Sequence, residues 1–208
     1  MLKAILFDFD GTLVDSDPVT LLEFINLMKH YHYPIPTNEQ LLTLRGIPAI
    51  IMIKKLLPRI SDEKIKKMYE FKNKNADRFM SKIKLFPYVK KVIIQLKTQY
   101  KLAIVTSRRR NGLDMLLKMH ALTDLFEVTV AKEDVVNHKP HPEGIHKAIH
   151  LFGRNKDDVI YVGDAAADVE TAHNAKIPCV LISAGKDDFR AEHHITNISD
   201  LPALIEGI

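Results

Sequence analysis

Five short apolar runs rich in β-branched residues punctuate the chain: Lys3–Phe9, Leu102–Thr106, Phe126–Val130, Val159–Val162 and Cys179–Ser183. Their apolar residues are continuous rather than alternating, which predicts strands buried on both faces. Between the later runs, apolar positions recur at helical spacing over Tyr88–Gln99, Leu113–Met119, Pro142–Phe152 and Asp168–Asn174. Alternating strands and helices predict an α/β fold with a parallel sheet covered on both faces.

The first interval breaks the rhythm. From about Asp15 to Leu85 no convincing strand pattern occurs, and helix start signals occur instead. Pro18 follows Ser16-Asp17, a good first-turn arrangement. Thr37-Asn38-Glu39-Gln40 fits a capping box, and Ser61-Asp62-Glu63 opens a helix carrying Ile65, Met68 and Phe71. A helical stretch of this length after the first strand predicts an inserted all-helical cap domain at 15–85. The α/β core would then comprise 1–14 and 86–208. Neither an internal repeat nor a low-complexity tract interrupts this division.

Composition narrows the picture a little. The chain has 208 residues, 46% of them hydrophobic and 27% charged, with a net charge of +4. The 15–84 segment holds 13 Lys/Arg against 8 Asp/Glu, so it carries the whole excess of base. That excess fits either solvated helix faces or a positive potential offered to an anionic substrate. No basic-helix or aromatic-basic motif accompanies it, so neither nucleic acid nor membrane is expected as a partner. The single cysteine, Cys179, lies in an apolar run and reads as a core residue. No apolar run approaches the roughly 18 residues of a membrane span. The N-terminal apolar stretch meets Asp8 too soon for a signal peptide, and a cytoplasmic location is expected.

Candidate chemistry starts at the end of the first run. Asp8 and Asp10 stand two apart, so on a strand both would face one way. Two carboxylates on one side of an apolar site repel each other and desolvate badly, which a divalent cation would offset. Gly11 then permits a sharp turn and leaves backbone room for a ligand. Read alone, the pair would also fit a strand that ends in a polar turn. Asp8, Thr106 and Asp164 each fall at the carboxyl end of a predicted strand, where parallel sheets bind ligands. Lys139 lies in the loop before a predicted helix.

Asp8-Phe9-Asp10-Gly11-Thr12 resembles the first motif of the haloacid dehalogenase superfamily. Thr106, closing Leu102-Ala103-Ile104-Val105, resembles its second, and Lys139-Pro140 with Pro142-Glu143 its third. Gly163-Asp164-Ala165-Ala166-Ala167-Asp168 is similar to its acidic fourth. The resemblance implies a Rossmann-like core with a helical cap, and a phosphatase like phosphoglycolate phosphatase acting on a small phosphorylated metabolite. Asp8 would be the nucleophile and Asp10 the general acid and base. Thr106 and Lys139 would hold the transferring phosphoryl group. Asp8, the Asp10 main-chain carbonyl and Asp164 would bind Mg²⁺, with Asp168 either an indirect or water-mediated partner or a first-turn acid that stabilises its helix.

Dehalogenases and phosphonate-cleaving members lack the second aspartate, so Asp10 argues against both. Ala165 departs from the serine that relatives often carry. Pyrophosphatase, sugar-phosphate phosphatase, nucleotidase and β-phosphoglucomutase-like phosphoryl transfer use the same residues and stay open. A non-catalytic binding protein is the alternative from another class.

Substrate choice points elsewhere. Arg108-Arg109-Arg110 follows Thr106-Ser107 and opens the next predicted helix, where cations are unfavourable. Either at least one of them serves an anion or all three simply face solvent, and Arg108, nearest the strand end, is the candidate if one reaches the substrate. Gly11 and Ser107 are candidates for the same site. Arg45, in Arg45-Gly46-Ile47-Pro48 between two cap helices, could grip a substrate carboxylate or distal phosphate. His138 and His141 flank Lys139-Pro140 and read as loop residues rather than metal ligands.

Overall fold

The structure, a computed structural model, describes residues 2–44, 48–185 and 189–208. The chain forms two compact units, one from 1–15 with 85–208 and the other from 16–84.

The first unit is built on a six-stranded parallel sheet: β1 (Ala4–Phe7), β2 (Lys101–Val105), β3 (Val128–Val130), β4 (Val159–Gly163), β5 (Cys179–Ile182) and β6 (His193–Ile195). Their order across the sheet is β3-β2-β1-β4-β5-β6. This is the Rossmann-like order, and its direction reverses between β1 and β4. Phe7 pairs with Ile104 on one side and Val162 on the other, so three strands end nearly level.

The strands are shorter than the apolar runs. β1 stops at Phe7, because the Leu13 and Val14 N–H groups both donate to the Phe9 carbonyl and curl the chain away. β2 stops at Val105, one residue before Thr106. The β6 strand was not expected from its sequence. It is an edge strand bonded only to β5, so it needs no continuous apolar run.

Among the described residues this unit adds the α-helices α6 (Val89–Lys97), α7 (Arg110–Met119), α8 (Glu143–Phe152), α9 (Ala166–Ala175) and α10 (Leu201–Glu206). Ile145, Ala148 and Phe152 of α8 and Val169 and Ala172 of α9 pack on Leu6, Ala103, Val105 and Tyr161. Ile5 and Phe7 alternate with them along β1 and are equally buried. α6 packs on β2 and α10 on α6. Each large side chain so buried stabilises the fold by about 1.5–3 kcal/mol. Cys179 lies fully buried in β5 as a core residue, and burial pushes its thiol pKa up.

The second unit is helical: α1 (Asp17–His30), α2 (Asn38–Leu42), α3 (Ala49–Leu56), α4 (Asp62–Asn75) and α5 (Asp77–Met80). Phe24, Leu27, Met28, Ile53, Ile65 and Met68 form its core. Thr37 Oγ1 accepts the Gln40 N–H while Gln40 Oε1 accepts the Thr37 N–H, closing the capping box. Ser61 Oγ accepts the Lys64 N–H and starts α4. Lys72 on α4 pairs with Glu23 on α1 at 2.5 Å, and both side chains are largely buried. Removing either partner would leave the other charge buried and uncompensated, which is strongly destabilising. Arg45 lies outside the described residues. Among the described residues no helix is long and apolar enough to cross a membrane.

Candidate active site

The candidate residues of the core converge beyond the ends of β1, β2 and β4. Asp8 follows β1, donates its N–H to the Val162 carbonyl at 2.8 Å and is 8% exposed. Its Oδ1 lies 2.7 Å from Lys139 Nζ. The same ammonium is 2.7 Å from Asp168 Oδ1 and sits over the Tyr161 ring. Burial works against the Lys139 charge, but Asp168 and Asp8 outweigh it and hold its pKa well above the ordinary lysine range. Burial pushes the Asp8 carboxyl up to about 8; Lys139 opposes the rise, while Asp168 and Asp164 add to it.

Asp164 follows β4. Its Oδ1 accepts a hydrogen bond from Thr12 Oγ1 at 2.9 Å. Gly11 has φ +84°, and a Cβ there would lie 2.2 Å from Asp164 Oδ2, so only glycine lets the two segments approach. Asp8, Asp164 and Asp168 each offer a carboxylate oxygen, all within 4.8 Å of one another.

This all-oxygen, acidic donor set fits a hard divalent cation. The buried charge repulsion that raises the Asp8 pKa is what such a cation relieves. The third carboxylate is already engaged. Asp168 Oδ2 accepts the N–H groups of Asp164 and Ala165 at 3.1 Å, and its Oδ1 takes Lys139 and the Tyr161 hydroxyl. It therefore closes the first turn of α9 and orients Lys139.

The Asp8 and Asp10 carboxylates meet different cationic side chains, Lys139 and Arg108. β1 has ended before either, and the turn at Gly11 sends the Asp10 carboxylate to Arg108. Arg108 grips it with Nε at 2.8 Å to Oδ2 and with Nη2 to Oδ1. Thr106 is buried, and its Oγ1 accepts the Arg108 N–H at 3.1 Å. Ser107 is exposed. Arg109 is exposed at the N-cap of α7. Arg110 pairs with Asp134 and donates to the Thr129 hydroxyl and carbonyl. Two of the three arginines thus meet protein carboxylates.

The loop carrying Lys139 is fixed from both sides. Glu143, at the start of α8, accepts the N–H groups of Val136 and Asn137 at 2.8 and 2.9 Å. Those two bonds hold its pKa below the usual carboxylate range. Asn174 Nδ2 donates to the Pro140 carbonyl at 3.0 Å. His138 and His141 are exposed on this loop, and His141 Nδ1 accepts the Glu143 N–H.

Sequence reasoning missed four contributors: Tyr161, Asn174, Thr12 as the partner of Asp164, and Glu143 as the anchor of the loop. Tyr161 had a readable signal, a hydroxyl inside a fully apolar run that must find a buried acceptor. It finds the Val105 carbonyl at 3.0 Å.

Residues 5–182 match the family pattern of the haloacid dehalogenase-like hydrolases. The chain belongs to that family. It is a hydrolase. Pyrophosphatase PpaX of Bacillus mycoides is 27% identical over 214 residues, spanning 100% of this chain and 98% of its own. Two solved structures share the fold. A candidate phosphoglycolate phosphatase of Lactobacillus plantarum superposes with TM-score 0.88 at 22% identity, covering 98% of this chain and 99% of its own. β-Phosphoglucomutase of Clostridium difficile gives 0.82 at 20% identity, covering 99% and 96%. This haloacid dehalogenase-like hydrolase keeps an α/β core with an inserted helical domain.

Proposed function

We propose that the chain is a Mg²⁺-dependent phosphatase that hydrolyses a small phosphomonoester through an aspartyl-phosphate on Asp8. The observation that carries this reading is the meeting of Asp8 with Lys139 and with the carboxylates of Asp164 and Asp168. An Asp8 oxygen attacks phosphorus, and the bond from phosphorus to the leaving oxygen breaks. Asp10 gives its proton to that oxygen. It then takes a proton from the water that attacks the same phosphorus, so the Asp8–phosphorus bond breaks and phosphate departs. The Lys139 ammonium and the Thr106 hydroxyl stabilise the phosphoryl oxygens.

The cation would be held by Asp8, Asp164 and the Asp10 carbonyl, and it would supply charge neutralisation between nucleophile and phosphate. Gly11, Ser107, Arg108 and Arg45 are the residues assigned to substrate, and the inserted unit is assigned to selecting it. A cytoplasmic location is part of the same reading. Pyrophosphate is a second substrate candidate, favoured by the full-length similarity to a pyrophosphatase.

The test is Mg²⁺-dependent phosphate release from phosphoglycolate, pyrophosphate, nucleotides and sugar phosphates, with Asp8→Asn as control. Release from at least one substrate, abolished in Asp8→Asn and by chelation, is expected. Full activity in the variant, or no release from any substrate, overturns the reading.

A further inference from the structure

Arg108 poses a problem for the reaction just described, on whose reading this inference rests. Asp10 must meet the leaving oxygen, yet both of its own oxygens are held by one guanidinium. Neither can serve a leaving group while the fork stays closed. A bidentate arginine–carboxylate pair is among the stronger side-chain contacts. Something must therefore compete for Arg108 before Asp10 can act.

The competitor must be an anion of carboxylate or phosphate geometry, because a planar fork is matched only by such groups. It must also stand beside the leaving oxygen, where Asp10 works. The transferring phosphoryl group is served by Lys139 and Thr106 and does not fill that place. Arg108 is also the one arginine of its run suited to this exchange. Arg110 is committed to Asp134 and Thr129, and Arg109 stands exposed at the N-cap of α7. The Arg108 side chain is 15% exposed and that of Asp10 31%, so an anion can reach the pair from solvent. The Arg108 main chain is pinned on both sides. Its N–H donates to Thr106 Oγ1, and its carbonyl accepts the Lys132 N–H at 2.9 Å. Exchange thus moves the side chain alone.

We propose that Arg108 is a specificity-determining residue that exchanges the Asp10 carboxylate for a second anionic group on the substrate, so that only substrates with two separate anionic groups release Asp10 for catalysis. The substrate class is a phosphate bearing a second phosphate or a carboxylate close to the leaving oxygen. Arg108 acts by binding that group and by positioning Asp10, and esters without a second anionic group leave the fork closed.

The experiment compares wild type, Arg108→Ala, Arg108→Gln and Arg108→Lys with Mg²⁺ on three probes: pyrophosphate, phosphoglycolate and 4-nitrophenyl phosphate. The first two carry a second anion, a phosphate or a carboxylate, and the third does not. Wild type should prefer at least one of them over the aryl ester. Arg108→Ala and Arg108→Gln should each lower that preference, as a ratio of kcat/KM values, by on the order of 30-fold, the size expected for losing a charged hydrogen-bonded contact. The loss should fall on both KM and kcat of the substrate with the second anionic group. Arg108→Lys should restore KM more than kcat, because a point charge attracts the anion without the fork. An equal loss on all three probes, or an unchanged ratio in every variant, overturns the proposal and leaves Arg108 a merely structural residue. A wild type that cleaves the aryl ester with no preference for a second anion overturns it too, while the phosphatase reading stands. A wild type inert on every probe overturns both.

Discussion

Asp8 combines burial with two neighbouring carboxylates and one ammonium, and its protonation behaviour follows from that balance. Burial is the larger influence and raises its pKa from 3.8 to about 8. The folded protein therefore holds the Asp8 proton more tightly than the unfolded chain does. The sign follows by linkage: this group's contribution favours folding at low pH and is lost as the pH rises from 3.8 toward about 8. In chelator, Asp8→Asn should melt higher than wild type at neutral pH, by about 2–8 °C, with the gap closing as the pH is lowered. Mg²⁺ should raise the wild-type Tm more than that of the variant. Calorimetry across this pH range checks both. A variant that melts lower than wild type at neutral pH would contradict the account.

At this scale Asp8, Asp10, Thr106, Lys139 and Asp164 were legible because each sits where a strand or a pre-helix loop delivers it. Their pairings were not. Gly11 turns Asp10 away from Asp8 toward Arg108, and Tyr161 reaches across from β4 to Asp168. The first meeting spans 98 residues of chain and the second runs from a strand to the helix after it, and neither follows a periodic pattern.

At the scale of elements, the loop between β3 and α8 matters most, since it delivers Lys139 to Asp8. Glu143 ties two main-chain N–H groups of that loop to the N-terminus of α8, where a negative charge is also favoured. Glu143→Ala removes both acceptors and should displace Lys139. A shift of about 1 Å at such a group can cost up to roughly 100-fold in rate, so kcat should fall between about 10- and 100-fold. Glu143→Gln keeps one acceptor oxygen and should lose less. Steady-state kinetics and the melting temperature of both variants check this. Wild-type kcat in Glu143→Ala would show that the loop holds Lys139 unaided.

The long strands and helices were readable from periodicity, and so were the caps at Thr37 and Ser61. The strand ends were not, because the main chain curls at Phe9 through bonds to its own next turn. β6 and α10 were missed for a related reason. Three residues at a sheet edge and six at the chain's last turn carry too little periodicity to stand out.

For the whole molecule, the order β3-β2-β1-β4-β5-β6 turns four distant sequence segments into one site. Alternation of strands and helices implied a parallel sheet, and the reversal beside β1 explains why Asp8 and Asp164 become neighbours. The inserted helical unit is legible as helices, but its part in substrate choice rests on Arg45, outside the described residues.

The central claim is that Asp8 becomes phosphorylated during turnover, and it can be tested directly. The enzyme is mixed with a labelled phosphate bearing a second anionic group and Mg²⁺, quenched in acid within one turnover, and reduced with borohydride, which converts an aspartyl-phosphate to homoserine. Peptide mass spectrometry then locates the converted residue. The account predicts conversion at Asp8, none at Asp10, and none in Asp8→Asn. Turnover without any acyl-phosphate, or conversion at another residue, would contradict it.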